Sequence, residues 1–428
     1  MILLPQLRQR HRQFVYRGFN WNADGDDLEV SFDFQLIPDI VFRPQIVIKG
    51  AGSRAHKLPK NVLDNLVFHL GLIEMLSYWK AACPEEITIK AGKLTPDQVK
   101  WWLNLLKKGL GEFFFQNKID FRANDFVKIV SAGDKQFRSF TLKFSAERSL
   151  VMVGGGKDSV VAIEVLKQLG QSPAAMLVNP TQAAKEVVKV AGLKDKITIL
   201  RQIDPKLLEL NDFGYLNGHT PFSANLGFLS LLVGAIFGFN QLIVANERSA
   251  EEANVNFLGQ PINHQYSKTW EFEQQFRAYV KEYLSASLNY FSLVRPLWEM
   301  QISKIFSKMP QYFSVFKSCN RGQKENVWCG DCPKCLSVYV LLNPFLKDKT
   351  VEIFGQNLLE RQDLLPLLKQ LKGEGEFRPF ECVGTKEEII ASLDLVGKGQ
   401  SHKILSSWGE DKFLTDPQKK LLKRLAYA

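Results

Sequence analysis

The sequence predicts an α/β protein with three parts: an N-terminal α+β domain, a central domain built on a parallel sheet, and a mostly helical C-terminal part with a cysteine knuckle. Three observations predict this class. Strand-like and helix-like stretches are mixed at first, they alternate regularly from residue 149 to residue 247, and a Cys-x9-Cys-x2-Cys-x2-Cys motif begins at Cys319. Strands that alternate with helices are typical of a parallel sheet. We therefore place the domains at residues 1–147, 148–310 and 311–428.

Composition is consistent with two or three globular domains. The chain has 428 residues, of which 45% are hydrophobic and 23% are charged, as in ordinary globular proteins. Its net charge of +10 favours an anionic partner, either nucleic acid or a phosphorylated small molecule. The basic stretch "KKLLKRL" (419–425) is typical of a solvated helix face rather than a nucleic-acid tail. Charge alone therefore does not identify the partner.

Two stretches bear on localisation. The opening "MILLPQLRQRHRQF" has no apolar segment of the kind found in secretory signals. The most apolar stretch, "FLSLLVGAIFGF" (228–239), is too short to span a membrane and is interpreted as a buried helix. Four of the six cysteines are clustered, which favours a reduced compartment over a disulfide framework. We predict a cytoplasmic protein with no membrane partner.

The N-terminal region is predicted to contain four strands and two helices. Alternating apolar residues indicate the strands, and Thr95 followed by Pro96 is typical of a helix start. The predicted strands are 28–36, 44–50, 85–92 and 138–145, and the predicted helices are 61–83 and 95–115.

The central region is predicted to contain four parallel strands with a helix after each of the first three. The strands are 149–153, 174–179, 196–203 and 241–247, and the helices are 159–169, 181–191 and 221–239. Ligands of such sheets bind beyond the carboxyl ends of the strands. This rule places Gly154–Ser159, Asn179 and Asn246–Arg248 around one crevice.

The segment "GGGKDS" (154–159) lies between the first of these strands and its helix. Gly154, Gly155 and Gly156 can adopt positive φ and let backbone N–H groups approach a ligand, while Asp158 or Ser159 can cap the helix. A helix N-terminus is an anion site. The glycine spacing is neither that of the GxxxxGK[ST] loop nor that of the dinucleotide fingerprint. The segment is predicted to bind a phosphate, and the alternative is a tight turn with no ligand.

Cys319, Cys329, Cys332 and Cys335 have the spacing of a metal knuckle, and Gly330 and Pro333 supply turn chemistry between them. Four thiolates at this density favour a tetrahedral Zn²⁺ site. An iron–sulfur cluster also takes four cysteines, and four unligated thiols are the remaining alternative. A site with four protein ligands has no open position, so the predicted role of the zinc is structural.

The glycine segment resembles the Ser-Gly-Gly-x-Asp-Ser loop of the PP-loop ATP pyrophosphatases, which have an adenine nucleotide α-hydrolase-like fold. Gly154 stands where that family has its first serine. The resemblance implies that Gly154, Gly155, Gly156, Lys157, Asp158 and Ser159 bind ATP. It also implies that Asp158 places Mg²⁺ and that Lys157 offsets charge. The cysteine knuckle is similar to that of 7-cyano-7-deazaguanine synthase, a zinc-containing member of the group.

A second resemblance covers nearly the whole chain. The segments "FNWNADGDDLEVSFDF", "ANERSAEEANV", "INHQYSKTWEFE", "YFSLVRPLWEMQI" and "WCGDCPKCLSVYVLL" are similar to the UDP-N-acetylmuramoyl-L-alanyl-L-glutamate epimerase family. This resemblance implies a cytoplasmic step of peptidoglycan synthesis. In that step ATP is split to AMP and pyrophosphate, and the terminal L-glutamate of UDP-MurNAc-L-Ala-L-Glu is inverted to D-glutamate through an acyl-adenylate.

Inversion needs a base whose pKa lies near the working pH. Glu247, at the end of the fourth predicted strand, is the first candidate, followed by His264 and then His219. The alternative for Glu247 is an ion pair with a neighbour such as Arg248, and for each histidine it is a structural role. Three cations, Arg248, Lys268 and Arg295, are candidates for gripping the diphosphate or the carboxylates of the substrate.

Two other functions are compatible with the sequence. One is a PP-loop enzyme of RNA or deazapurine modification, similar to 7-cyano-7-deazaguanine synthase. The other is a zinc-containing nucleotide-binding protein without catalytic activity. Because no RNA-binding motif is identifiable, we expect no nucleic-acid partner. The sequence does not set the oligomeric state.

Overall fold

The structure is a computed structural model that describes residues 2–398 and 402–428. Met1, where the opening stretch begins, and residues 399–401 of the predicted C-terminal region lie outside the described residues. The strands are β1 (Gln13–Asn22), β2 (Leu28–Leu36), β3 (Ile40–Phe42), β4 (Gln45–Ile48), β5 (Glu86–Ile89), β6 (Lys128–Ser131), β7 (Ser149–Met152), β8 (Ala174–Val178), β9 (Lys196–Gln202), β10 (Gln241–Val244), β11 (Val255–Phe257), β12 (Gln260–Ile262) and β13 (Asn289–Ser292).

The α-helices surround these strands and continue to the C-terminus. They are α1 (Leu4–Arg10), α2 (Gly52–Ala55), α3 (Lys60–Glu74), α4 (Leu76–Trp79), α5 (Pro96–Gly109), α6 (Gly111–Gln116), α7 (Lys157–Gln168), α8 (Gln182–Val190), α9 (Pro205–Asp212), α10 (Phe222–Phe237), α11 (Trp270–Tyr279), α12 (Glu299–Phe306), α13 (Pro333–Leu346), α14 (Asp348–Phe354), α15 (Leu365–Leu371), α16 (Lys386–Lys398) and α17 (Asp416–Tyr427).

One sheet of eleven strands runs through the protein in the order β13-β10-β7-β8-β9-β4-β2-β1-β5-β6, with β3 paired to β2. The five strands from β13 to β9 pair in parallel, as do β1, β5 and β6. In the middle of the sheet, β4 pairs antiparallel with β9 and with β2, and β2 pairs antiparallel with β1. A mixed α/β protein with a mostly parallel sheet and a helical C-terminal part is confirmed. The sheet crosses residue 147, and the division into three domains stays a prediction.

The order of the parallel strands creates a crevice. From β7 the chain moves outward to β8 and β9, and it then returns to place β10 on the other side of β7. Such a reversal separates the connections at the carboxyl ends of the two central strands and is where ligands bind in open α/β sheets. The carboxyl ends of β7 and β10 are therefore the position for a site.

The sheet is covered on both faces. Alternate residues of a strand point to opposite faces, and β7 shows both sides. Leu150 and Met152 pack into a cluster with α3, α5 and α10, whereas Val151 and Val153 pack into a second cluster with α7, α12 and α13. The knuckle cysteines also belong to this second cluster. The helical C-terminal part is thereby attached to the same face as α7.

Most predicted central elements are confirmed, and two helices show why. In α5, Thr95 Oγ1 accepts from the Gln98 N–H and Gln98 Oε1 accepts from the Thr95 N–H, which forms a capping box. The apolar stretch 228–239 lies in α10, a buried helix that ends at Gly238 with a left-handed φ of 75°. Among the described residues, no helix is both long and apolar enough to cross a bilayer.

The predicted strand 138–145 is wrong. Phe140 N–H donates to Leu284 O and Leu142 N–H donates to Ser287 Oγ, but these extended residues join no ladder. Strand β1 escaped prediction because a register shift between Tyr16 and Gly18 interrupts its alternation. Strands β3, β6 and β13, of three or four residues each, were not predicted either.

Candidate functional site

The glycine segment connects β7 to α7 and packs closely against α8. Gly155 has a φ of 94°, and a Cβ there would lie 2.7 Å from the backbone nitrogen of Ala184. Gly154, in contrast, has no neighbour within 4 Å of a Cβ position and faces open space. No side chain caps the N-terminus of α7 at Gly156. Its first N–H groups are thus available to an anion in the adjacent cleft.

A buried lysine lies directly beneath this helix start. Lys157 is 2% exposed, and its Nζ donates to Asp158 Oδ1 at 2.6 Å and to Glu299 Oε1 at 2.9 Å. Burial lowers the pKa of Lys157, but the two carboxylates outweigh burial and raise it. Burial raises the pKa of Glu299, and the charges of Lys157 and Lys334 more than reverse that shift. Lys157 and Glu299 therefore form a charged pair.

A cleft of about 350 Å³ opens at the carboxyl ends of β7 and β10. Its polar lining includes the glycine segment, Asp158 and Ser159. Its apolar lining includes Met176, Val178, Phe222 and Leu226. Small-molecule sites commonly combine apolar walls with a few polar groups, and they begin at about this volume. The shape suits a ligand with a flat apolar part and an anionic part.

The lining of the same cleft also includes Lys268, Lys334 and Cys382. Lys268 Nζ donates to Cys382 Sγ at 3.1 Å and to Gln265 Oε1 at 3.2 Å. Lys334 Nζ lies 3.4 Å from Glu299 Oε1 and also donates to the Cys382 carbonyl. Two ammonium groups and one thiol therefore face the same cleft as Asp158.

The four knuckle cysteines converge as predicted. Their sulfur atoms all lie within 4.8 Å of one another, with Cys319 Sγ 3.9 Å from Cys332 Sγ and Cys329 Sγ 3.7 Å from Cys335 Sγ. A tetrahedral ion with Zn–S bonds of about 2.3 Å separates its sulfurs by about 3.8 Å. The sulfurs surround a space sized for one ion, whereas a polynuclear cluster spreads its thiolates around several metals. The donor set fits a single ion.

The knuckle also forms part of the cleft. Lys317 N–H donates to Gly155 O at 2.9 Å, and Ser318 Cβ lies 3.4 Å from a Cβ position at Gly156. Helix α13 begins at the knuckle, where Cys332 caps it, and carries Lys334 into the cleft wall. The cysteine cluster thus positions residues on both sides of the glycine segment.

Comparison with known families decides the relationship. A family model described as the MurL N-terminal domain matches residues 6–293, and one described as the MurL C-terminal domain matches residues 315–420. The chain belongs to the MurL family.

Relatives in the MurL family carry the name UDP-N-acetyl-alpha-D-muramoyl-L-alanyl-L-glutamate epimerase. One from Salinispora tropica is 35% identical over 335 residues, which cover 77% of this chain and 72% of the relative. Another from Xanthomonas oryzae pv. oryzae is 33% identical over 401 residues, which cover 91% of this chain and 86% of the relative. Epimerases are isomerases, so the predicted enzyme class is confirmed at the level of the family.

Among solved structures, a predicted subunit of tRNA methyltransferase from Methanocaldococcus jannaschii is similar to part of the chain. It is 16% identical, covers 38% of this chain and 75% of its own, and has a TM-score of 0.24. A likeness of this size carries no argument about the fold or function of the MurL family.

Glu247, the first predicted base, follows Asn246 at the end of β10 but does not itself line the cleft. Its side chain is 3% exposed. Burial raises the pKa of Glu247, and the negative charges of Asp158 and Glu299 raise it further, against the opposing charge of Lys268. Glu247 is thus a buried carboxyl group whose pKa lies above its ordinary value.

His264 and His219 lie together behind Cys382. Their ring centroids are 4.3 Å apart, and both Nδ1 atoms face Glu112 Oε2. Burial lowers the pKa of His264, but hydrogen bonds to Cys382 and Glu112 outweigh burial and raise it to about 9. Burial, reinforced by the charge of His264, lowers the pKa of His219 to about 3. Of the two, His264 is therefore the charged ring at neutral pH.

Two of the three predicted substrate cations lie outside the cleft lining, where only Lys268 is found. Arg248 stacks on Trp298, with its Cζ 4.4 Å from the ring centroid. Arg295 is 3% exposed and donates to Glu273 Oε2 from Nε and Nη2 at 3.0 and 2.9 Å. It also donates to the carbonyls of Glu247 and Lys268. The contacts of Arg295 hold the backbone that carries these two side chains.

Sequence analysis missed three residues of the site: Glu299, Lys334 and Cys382. For Lys334 a signal was present, because it stands between two knuckle cysteines in "CPKC". Glu299 follows a strand that was not predicted, and Cys382 lies in a turn-rich segment more than 200 residues after the glycine segment. Neither position carries a local pattern that points to a cleft.

Proposed function

We propose that this chain inverts the terminal L-glutamate of UDP-MurNAc-L-Ala-L-Glu in an ATP-dependent reaction that proceeds through an acyl-adenylate and releases AMP and pyrophosphate. The single observation that carries the proposal is the composition of one cleft. An uncapped helix start after three glycines faces Lys268, Lys334 and Cys382, in a chain of the MurL family. One cavity thus combines an anion-binding helix start with ionisable side chains, which supports the proposal.

The central domain acts, in this proposal, as a PP-loop ATP-binding domain. Gly154 leaves room beside the backbone, and the N-terminus of α7 offers N–H groups and a positive dipole end to phosphates. The apolar wall of Met176, Val178, Phe222 and Leu226 suits the flat face of adenine. The Gly155 carbonyl accepts from Lys317, which fixes the loop before a ligand arrives.

Asp158 is the residue proposed to hold Mg²⁺. Its carboxylate lines the cleft and is 25% exposed, while Oδ1 accepts from buried Lys157. Mg²⁺ is usually bound by one or two carboxylates together with phosphate oxygens and water, so this donor fits. When bound, the ion neutralises charge on the phosphates. Lys157, which also binds Glu299, holds the Asp158 carboxylate through a hydrogen bond to Oδ1.

The need for ATP follows from the acidity of the substrate. Removing the α-proton of a carboxylate would place a carbanion beside an existing negative charge. Adenylation removes that charge and makes the carbonyl an electron sink, so a protein base can take the proton. Glu247 is the carboxyl group proposed for proton transfer, and Lys268 is proposed to contact the activated carboxyl group or the diphosphate. Contacts of Arg248 and Arg295 with substrate stay predictions.

The knuckle is proposed to hold a structural Zn²⁺. Four sulfurs at tetrahedral spacing leave no open position on the ion. Cys319 and Cys335, the latter within α13, belong to the second core cluster. The ion would lock Lys317 and Ser318 against the glycine segment and would fix the start of α13, which carries Lys334. Metal removal is therefore expected to disorder one wall of the cleft.

The proposal is tested by incubating the purified chain with ATP and Mg²⁺, with and without UDP-MurNAc-L-Ala-L-Glu. We expect AMP and pyrophosphate only when the muramoyl dipeptide is present, and D-glutamate on chiral analysis of the hydrolysed product. Formation of ADP and orthophosphate as the only nucleotide products would refute the adenylation step. Product that holds only L-glutamate would refute the epimerase.

A further inference from the structure

Cys382 is the reactive side chain of the cleft to which the reaction above assigns no role. It is half-buried, and its side chain lines the same cleft as Gly154 and Asp158. The second cysteine outside the knuckle, Cys83, is fully buried in the N-terminal core. The two thiols therefore differ in access to a ligand.

The surroundings of Cys382 are cationic. Lys268 Nζ donates to its Sγ at 3.1 Å, and His264 and Lys334 lie beside it. Burial raises the pKa of the Cys382 thiol, but Lys268 and His264 outweigh burial and lower it to about 7. For Cys83 burial dominates, and the thiol pKa is raised. A thiolate is thus available at neutral pH at only one of these two cysteines.

The backbone that carries Cys382 is fixed from both sides. Lys334 Nζ donates to the Cys382 carbonyl, and the Gly384 N–H donates to Ser337 Oγ at 3.1 Å. Upstream, the Arg378 N–H donates to Asn254 O at 2.9 Å. A catalytic group must be held within a fraction of an ångström of its working position. The turn-rich segment therefore presents the sulfur on a rigid support.

We propose that Cys382 is a catalytic residue whose thiolate removes the α-proton of the activated L-glutamate. The inference rests on the proposed function. The Cα–H bond breaks, an S–H bond forms on Sγ, and the electron pair moves to the carbonyl oxygen to give an enolate. A carboxylic acid then delivers a proton to the opposite face of Cα, and we assign this role to Glu247, which is buried directly next to the lining residue Asn246. Water finally releases AMP from the inverted acyl group. No oxidant or reductant is consumed.

This assignment explains the opposite environments of the two groups. A base must be ionised and an acid must be protonated before the reaction, and a pair of groups whose pKa values are pushed apart meets both requirements. Each turnover leaves Cys382 protonated and Glu247 ionised. Exchange with solvent restores both, so the hydrogen delivered to the product comes from water. Lys268, which interacts with both groups, stabilises the thiolate and the emerging carboxylate in turn.

The test compares Cys382→Ala and Cys382→Ser with wild type, with Cys83→Ala as the matched control. Pyrophosphate release and incorporation of deuterium from D₂O into unreacted L-substrate are measured separately, and melting temperatures monitor the fold. General acid–base groups contribute about 10²–10⁴-fold. We expect both Cys382 variants to lose deuterium exchange and inversion by at least about 10²-fold while they still release pyrophosphate. Cys83→Ala is expected to retain exchange.

A further variant separates the two faces. With Cys382 intact, Glu247→Gln is expected to exchange the α-hydrogen of the L-substrate without inverting it. Exchange at the wild-type rate in folded Cys382→Ala would overturn the inference, and so would an acyl-enzyme thioester detected by intact mass. Parallel loss of pyrophosphate release would move Cys382 to ligand binding and would also overturn it. If wild type releases no pyrophosphate, the proposed function itself fails, which is a distinct result.

Discussion

Two regions of this protein bury charge, and they do so differently. In the N-terminal half, Arg201 of β9 binds Glu74 of α3 through Nε at 3.0 Å and Nη2 at 2.8 Å, and Asn225 donates to the same carboxylate at 2.8 Å. Glu74 is fully buried. The pair joins the sheet to two helices and none of its members lines the cleft described above.

In and beside the cleft, three lysines and two carboxylates lie together without such bidentate pairing. Lys157 binds both Asp158 and Glu299, and Lys334 shares Glu299, whereas Lys268 faces a thiol and an amide. Asp158 and Lys268 also open to the cavity. Burial of charge therefore does not by itself identify a site. A site is indicated where charges at the mouth of a cleft share a partner or are paired with a weakly acidic group.

The largest expected effect is on stability, at the N-terminal pair. Arg201→Met would leave the Glu74 carboxylate buried without its cation, which costs about 3–5 kcal/mol in the free energy of unfolding. Urea unfolding measures this change. Epimerase activity per folded molecule is expected to stay near wild type. A matched control is Arg17→Met in the exposed pair with Asp33, for which we expect less than about 1 kcal/mol. A selective loss of activity in Arg201→Met would erase the contrast between the regions.

At the cleft we expect the opposite result, a loss of activity with little change in stability. Asp158→Asn removes a charge proposed to hold Mg²⁺, an interaction worth several kcal/mol, so pyrophosphate release is expected to fall by about 10²-fold or more. The melting temperature should change little, because Asp158 is partly exposed at the cavity. Turnover near wild type would remove Asp158 from the reaction.

A smaller change in stability is expected to distinguish two neighbouring glycines of the glycine segment. Gly155→Ala forces an L side chain into a positive φ and against the Ala184 nitrogen, with a strain of about 1–3 kcal/mol. Gly154→Ala is the matched control, since its Cβ meets nothing within 4 Å. We expect a lower unfolding free energy only for Gly155→Ala, measured by urea titration. Equal stability of the two variants would show that the approach to α8 is not close in solution.

Much of the fold was predictable because its signals are local. The central strands and helices alternate with a clear period, and the capping box of Thr95 and Gln98 spans four residues. Strand β13 was not predicted; three of its four residues are buried and its burial does not alternate. The false strand at 138–145 shows the converse. Apolar and polar residues alternate there, but in the described part of the chain no strand pairs with these residues.

The site divides in the same way. The glycine segment and the cysteine spacing are contiguous patterns, so their positions followed from the sequence. Cys382 reaches the cleft, and buried Glu299 reaches the lysines beside it, only through packing of the segment before α16 and of α12, which no local pattern encodes. Arg295 shows the reverse: arginine is a common carboxylate ligand, and here the carboxylate it grips is Glu273 of the protein itself.

Oxygen isotopes show whether this cleft activates the substrate by adenylation. UDP-MurNAc-L-Ala-L-Glu labelled with ¹⁸O in the α-carboxylate of glutamate is incubated with ATP and the enzyme, and the AMP is analysed by mass spectrometry. If the carboxylate attacks the α-phosphorus and water later attacks the carbonyl carbon, AMP retains one labelled oxygen for each turnover. We predict that the label is transferred to AMP. Unlabelled AMP, or inversion without AMP, would contradict it.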